Sequence, residues 1–264
     1  MQPKQDASAE LNVSVLLSVG AHPKTARSRR ADQDAKALEL ALSLPKARVA
    51  AIHAGDAEDE ALRQYLGMGL PALQVLPQPK EADVVPVLVD YLRQHPATLV
   101  LTGGKAEQGE SSGMLPYLLA QELGWPVVPR VAAVESVGNG KASVLQALPR
   151  GQRRALTVSL PCVLCIDEAA PAPRQSAFAL GQRGRIEVLS AVVTTDSERS
   201  EWTTQPARKR PKRLKVVKAK TAADRFKAAT AKASGDGGQV IVPKTVEEGA
   251  AAILKMLKEE GVLR

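Results

Sequence analysis

The residues best suited to chemistry lie in one run, Leu101-Thr-Gly-Gly-Lys-Ala-Glu-Gln-Gly-Glu-Ser-Ser-Gly-Met114. Glycines at 103 and 104 let the backbone approach a ligand, while Ser111 and Ser112 offer hydroxyls that cap a helix or bond phosphate oxygens. Placed between the carboxyl end of a parallel strand and a helix, such a run aims free amides and a helix dipole at an anionic group. It is neither a Walker A sequence nor a dinucleotide fingerprint, and a glycine turn with a serine cap is the alternative reading. Cys162-Val-Leu-Cys165 has redox spacing, but it sits in an apolar run that reads as a strand, where residues three apart face opposite sides. A redox pair begins a helix, whose dipole lowers the thiol pKa, so two buried core cysteines are expected here. The three histidines, His22, His53 and His95, have no metal spacing. His53 reads as a satisfied strand-end residue and Asp56 as a helix cap. No Ser-His-Asp, Cys-His or paired-carboxylate set emerges, so no catalytic residues are assigned.

These residues need elements to hold them. Val13–Gly20, Arg48–Ala54, Ala72–Leu76 and Thr98–Thr102 are short apolar runs that read as buried strands. Between them, 34–44, 56–68 and 81–94 have helical spacing, as does 111–123 after the glycine loop, whereas Ala21–Arg30 reads as a loop. Pro86 is tolerable only in the first turn of its helix. Strands alternating with helices predict βαβ units, a parallel sheet and right-handed crossovers. Beyond Gly124 the pattern changes to three β-rich runs (127–135, 143–148, 154–160), broken by Gly138-Asn-Gly-Lys and Pro149-Arg-Gly. Asn-Gly is a hairpin turn signal, so antiparallel strands are expected at the sheet edge. Cys162–Ile166 then reads as a last central strand.

The 264 residues allow one or two domains, and 44% hydrophobic residues with 24% charged ones exclude disorder over the whole length. Aromatics make up only 3%, so the core must be built from Val, Leu, Ala and Ile, as suits covered parallel strands. The formal charge of +8 is local: ten Lys/Arg and one acid fall between Pro206 and Lys227, and the remainder is close to neutral. That run has no folded reading module and no interleaved aromatic before Phe226, so an arm on an acidic protein partner is preferred to nucleic-acid binding. No apolar run is long enough to span a membrane and the N-terminus lacks a signal-peptide core, which predicts a cytoplasmic chain.

The ordered pieces resemble the β subunit of electron transfer flavoproteins over essentially the whole chain. The helix Asp34-x-x-Ala-Leu-Glu-Leu-Ala-Leu, the segment Leu62-Arg-Gln-Tyr-Leu-Gly-Met-Gly69, the Gly-Lys loop before Leu123-Gly-Trp-Pro126, Leu160-Pro161 and Pro173-Arg174 are similar to that family's motifs in order. Two stretches depart from it. Ala31-Asp32-Gln33-Asp34 replaces Asn-Pro-Phe/Tyr-Asp, and Glu107-Gln-Gly-Glu-Ser-Ser-Gly113 replaces an acidic loop.

The resemblance implies a three-layer doubly wound α/β domain (8–193), an extended basic arm (194–243) and a C-terminal helix (244–264) docking on an α subunit. It implies an electron carrier and not an enzyme, sharing an FAD with the α subunit and binding AMP, or a second FAD, in a structural site. Candidate cofactor contacts are Leu16, Ser18, Ala54, Gly55, Gly103, Gly104, Lys105, Gln108, Gly109, Glu110, Ser111, Ser112 and Gly113. The donor is then a flavin-dependent dehydrogenase and the acceptor a quinone oxidoreductase. Arg174, Phe178 and Leu180 are candidate docking residues for the donor; alternatively Phe178 tucks under its own loop. A stand-alone adenine-nucleotide-binding protein or hydrolase on the same fold is the rival reading.

Overall fold

A computed structural model describes residues 11–109, 111–203, 205–207, 221–224, 226 and 242–259. They divide into two units, Met1–Trp202 and Thr203–Arg264, each treated by itself. In the first unit the strands are β1 Leu11–Leu16, β2 Val19–Ala21, β3 Ser28–Arg30, β4 Ala47–Gly55, β5 Ala72–Pro77, β6 Leu99–Gly103, β7 Val127–Gly138, β8 Lys141–Ala147, β9 Arg153–Ser159, β10 Cys162–Ile166 and β11 Arg185–Val188. Its helices are α1 Asp32–Ser43, α2 Leu62–Leu66, α3 Val84–Gln94, α4 Leu115–Leu123, α5 Phe178–Arg183 and α6 Ser197–Ser200.

Nine strands form one sheet in the order β11-β5-β4-β1-β6-β10-β7-β8-β9. Its first seven strands run parallel and β7-β8-β9 is an antiparallel meander. The sheet carries helices on both sides, a three-layer doubly wound α/β fold. Strand alternation divides the core accordingly. Leu99 and Leu101 of β6 and Leu164 of β10 pack with Ala35, Leu38, Leu62 and Tyr65 of α1 and α2. Val100 and Val163 point the other way, to Leu88, Leu92 and Leu119 of α3 and α4.

Several elements differ from the sequence expectation for local reasons. Residues 56–61 are turns and only Leu62–Leu66 is helical. The Asp56 and Asp59 carboxylates accept from Glu58 N at 3.0 Å and Ala61 N at 2.8 Å, and such Asx turns compete with a helix. Asp56 is therefore a turn residue and not a helix cap. The helix expected from Ser111 begins at Leu115, because Ser111 has φ of 55° and its hydroxyl bonds back to Ala106 O at 2.6 Å. The stretch read as a loop at 21–30 closes a small hairpin, Val19 opposite Arg30. β11 and α5, not anticipated in the proline-rich stretch, place a further parallel strand beside β5. Asn139 (φ 52°) and Gly140 (φ 70°) make the expected two-residue hairpin between β7 and β8. Pro86 does lie in the first turn of α3, which Asp83 caps by accepting from Val85 N.

In the second unit Val246–Glu259 is helical. Glu248 N bonds to Thr245 Oγ1 while Lys244 N bonds to the Glu248 carboxylate, close to a capping box. Most of the basic run 206–227 lies outside the described residues.

Candidate functional site

From β1 the chain runs outward through β4 and β5, then crosses to β6 on the other side of β1. The carboxyl ends of β1 and β6 thus flank a topological switch point, where open α/β sheets bind ligands. The N-terminus of α1 is set into it. Asp34 is buried, and its carboxylate accepts from Ser18 N at 2.6 Å, Ser18 Oγ at 2.5 Å and Gly103 N at 3.0 Å. Burial outweighs these bonds and pushes its pKa up to about 6. Gln33 Oε1 accepts from Gly104 N at 2.8 Å. The amides of Gly103 and Gly104 are therefore bonded to side chains of this chain. A side chain on Gly103 would strike the Asp34 carboxylate, which accounts for the glycine there.

The loop after β6 folds back over the β2–β3 hairpin. Glu107 pairs with Arg29 at 2.9 Å and accepts from Asp32 N at 2.8 Å, capping α1 from outside its own sequence, since Ala31 at the N-cap has no side chain to do so. Gln108 Nε2 donates to Gly20 O at 2.9 Å. Tyr65 completes the clasp, donating to Ser18 O and accepting from Ala31 N, both at 2.8 Å. Ser112 Oγ receives Met114 N at 3.3 Å. Gly109, Ser111 and Gly113 all have positive φ. Among the described residues none pairs with Lys105, whose side chain is exposed. Glu110 lies outside the described residues.

The remaining candidates separate. Leu16 packs its side chain into the α3–α4 core, and Ala54 and Gly55 end β4 beside it. His53 is buried with Nδ1 2.8 Å from Leu17 O, and burial lowers its pKa, so it is a neutral structural residue as expected. Cys162 and Cys165 are both buried, Cys162 on the α1 face and Cys165 on the other. Desolvation pushes their thiols up to about 12 and about 11, the reverse of a redox pair. No group of acidic, histidine or cysteine side chains among the described residues is arranged to hold a metal ion.

Away from the switch point, Arg174 forks onto Glu39 of α1 at 2.7 and 2.9 Å. Phe178 is 80% exposed and Leu180 42%. The alternative in which Phe178 tucks under its loop is thereby overturned, since the described residues leave most of its side chain uncovered. Beside it lies an open cleft of about 570 Å³, lined by Arg27, Glu60, Arg63, Gln64 and Ser176 among others. Sequence reasoning missed Gln33, Asp34, Glu39, Tyr65 and Glu107 as site residues. Only the loop position of Glu107 offered a signal; the others become neighbours through crossovers of 16 to 135 positions.

Residues 25–194 match the family model described as the electron transfer flavoprotein domain. A curated relative, the electron transfer flavoprotein subunit beta of Chromohalobacter salexigens, is 54% identical over 228 residues, covering 85% of each chain. With a matching fold, a family model over most of the chain and that identity, this chain belongs to the electron transfer flavoprotein β-subunit family.

Proposed function

We propose that this chain is the β half of a cytoplasmic electron transfer flavoprotein heterodimer. It takes electrons from a flavin-dependent dehydrogenase and delivers them to a membrane-associated quinone oxidoreductase, itself neither embedded in the membrane nor bound to nucleic acid. The observation that carries the reading is the 54% identity to a named β subunit over 85% of the chain. Among the described residues no helix is long and apolar enough to cross a membrane, in keeping with it.

The redox chemistry would be supplied by an FAD held mainly by the α subunit. This chain's residues cover and bind. AMP, or a second FAD, fits the switch-point edge in a specific way. Because Asp34 and Gln33 take the Gly103 and Gly104 amides, the phosphate falls to Lys105, Ser112 and the amides of 111–113, which no described residue accepts from. The positive-φ residues Gly109, Ser111 and Gly113 turn this backbone into the kind of concavity that receives anions. Ser18, Ala54 and Gly55 line the same edge, and Gln108 closes it onto the hairpin. Phe178 and Leu180 form the donor-docking knob, the first 80% exposed and the second 42%.

Co-expression with a candidate α subunit tests the reading. A yellow 1:1 complex that a flavin dehydrogenase reduces, carrying one AMP or a second FAD on denaturation, is the expected outcome. A colourless monomer that hydrolyses ATP would overturn it in favour of the rival.

A further inference from the structure

We propose that Arg174 is a positioning residue and not a docking contact: fastened to Glu39 of α1, it sets the direction in which Phe178 projects. This rests on the reading of Phe178 as the donor-docking side chain.

Every residue from Pro171 to Leu180 except Pro173 is exposed, and none before Phe178 is in regular structure. The segment has no core of its own, so its course depends on a few polar ties. Arg174 supplies most of them. Its Nε donates to Glu39 Oε2 at 2.7 Å, its Nη2 to Oε1 at 2.9 Å, and its backbone N to Oε2 at 2.9 Å. Its carbonyl accepts from Arg30 Nη1 at 3.0 Å. A forked guanidinium–carboxylate pair fixes orientation as well as distance. Four polar groups of one residue are thus directed at the body of the molecule. The hydrogen bond from Arg174 holds the Glu39 carboxylate below its ordinary value.

The ties continue along the segment. Ala177 N donates to Gly67 O at 2.9 Å. Gly181 lies so close to Arg63 O that a β-carbon there would come within 2.5 Å of it. Between the Arg174 and Ala177 anchors the chain has two residues to travel, so Phe178 leaves at a set angle. Without the first anchor, the ring is ordered only at the moment of docking, a cost that falls on binding and not on electron transfer within the complex.

The test uses the α–β complex and, as electron donor, whichever of a purified panel of acyl-CoA, N-methylamine and 2-hydroxy-acid dehydrogenases reduces the wild type. Glu39→Gln and Arg174→Lys should each raise the donor's KM for the complex by about tenfold, with kcat and FAD content unchanged, a coupling of the size seen between contacting residues. The exchanged pair Glu39→Arg with Arg174→Glu restores the guanidinium–carboxylate pair but not the bond from the backbone N of residue 174, so it should recover part of the loss. Arg174→Lys should have no further effect in a Phe178→Ala background. Hydrogen exchange at the Ala177 and Gly181 amides, which needs no donor, should quicken in both single variants. If Arg174 touches the donor directly, Glu39→Gln will leave KM and exchange unchanged, and the exchanged pair will be no better than Arg174→Glu alone; that result overturns the proposal. An unchanged KM in Phe178→Ala would instead remove the docking reading itself, while the exchange data would still decide whether Arg174 holds the segment.

Discussion

At the scale of single residues, burial and pairing divide the side chains into those that hold the fold and those that face a partner. We propose Phe178 for the second kind, and on that reading Phe178→Ala should weaken donor binding by about 2 kcal/mol, a common value for an anchor side chain. FAD content and Tm should stay near wild type, because the ring covers nothing. Lost flavin or a large fall in Tm with normal reduction kinetics would show it to be a packing residue. Asp34 is of the first kind and carries a pH signature. Its folded-state pKa of about 6 lies above the ordinary 3.8, so between those values the folded chain binds more protons than the unfolded one. Stability contributed at this site is therefore full below about pH 4 and is lost as pH rises towards 6, at up to about 1.4 kcal/mol per unit. Urea unfolding of wild type against Asp34→Asn from pH 4 to 7 checks the sign: the difference should move against the wild type as pH rises.

At the scale of elements, α1 is the hub. Its first turn closes the ends of β1 and β6 through Asp34 and Gln33, and Glu107 caps it from the loop that it supports. Loop and helix therefore stabilise each other across the switch point. Glu107→Ala removes the outside cap and the Arg29 pair together, so it should lower both Tm and the nucleotide retained through purification. Lys105→Ala should behave differently. The side chain is exposed, so retained nucleotide should fall several-fold with Tm unchanged, read by chromatography of the denatured protein. Equal nucleotide content in Lys105→Ala and wild type would move the phosphate away from this turn.

At the scale of the whole molecule, the unit ending at Trp202 contains the complete sheet with both helical layers and its own core, and should fold alone. For the remaining residues we propose a role in assembly. In the helix Val246–Glu259 the apolar side chains Val246, Ile253, Leu254 and Met256 are all exposed, which suits the proposed docking on an α subunit. Truncation after Trp202 should leave a folded β fragment that no longer co-purifies with α. In the full chain the basic run should make the association rate fall as salt rises. A stable complex from the truncated chain would show that the sheet unit alone makes the interface.

The sequence by itself determined the layers. Hydrophobic periodicity is a local property, and it located the long parallel strands and the buried Cys162 and Cys165, while turn chemistry located the Asn-Gly hairpin. It also carried the family, because ordered motifs survive even where Ala31 and the 107–113 loop depart from the pattern. It failed where a short-range polar competitor opposed a helix, at Asp56 and Asp59, and where a strand was too short to show alternation, at 185–188. Only the tertiary structure decided what the glycine loop faces. The amides of Gly103 and Gly104 read as free in one dimension, yet they are bonded by Asp34 and Gln33, about seventy positions earlier in the chain. Arg174 and Glu39 stand 135 positions apart. Such pairings follow from where crossovers bring strand ends and helix starts together, a consequence of sheet order that residue spacing does not encode.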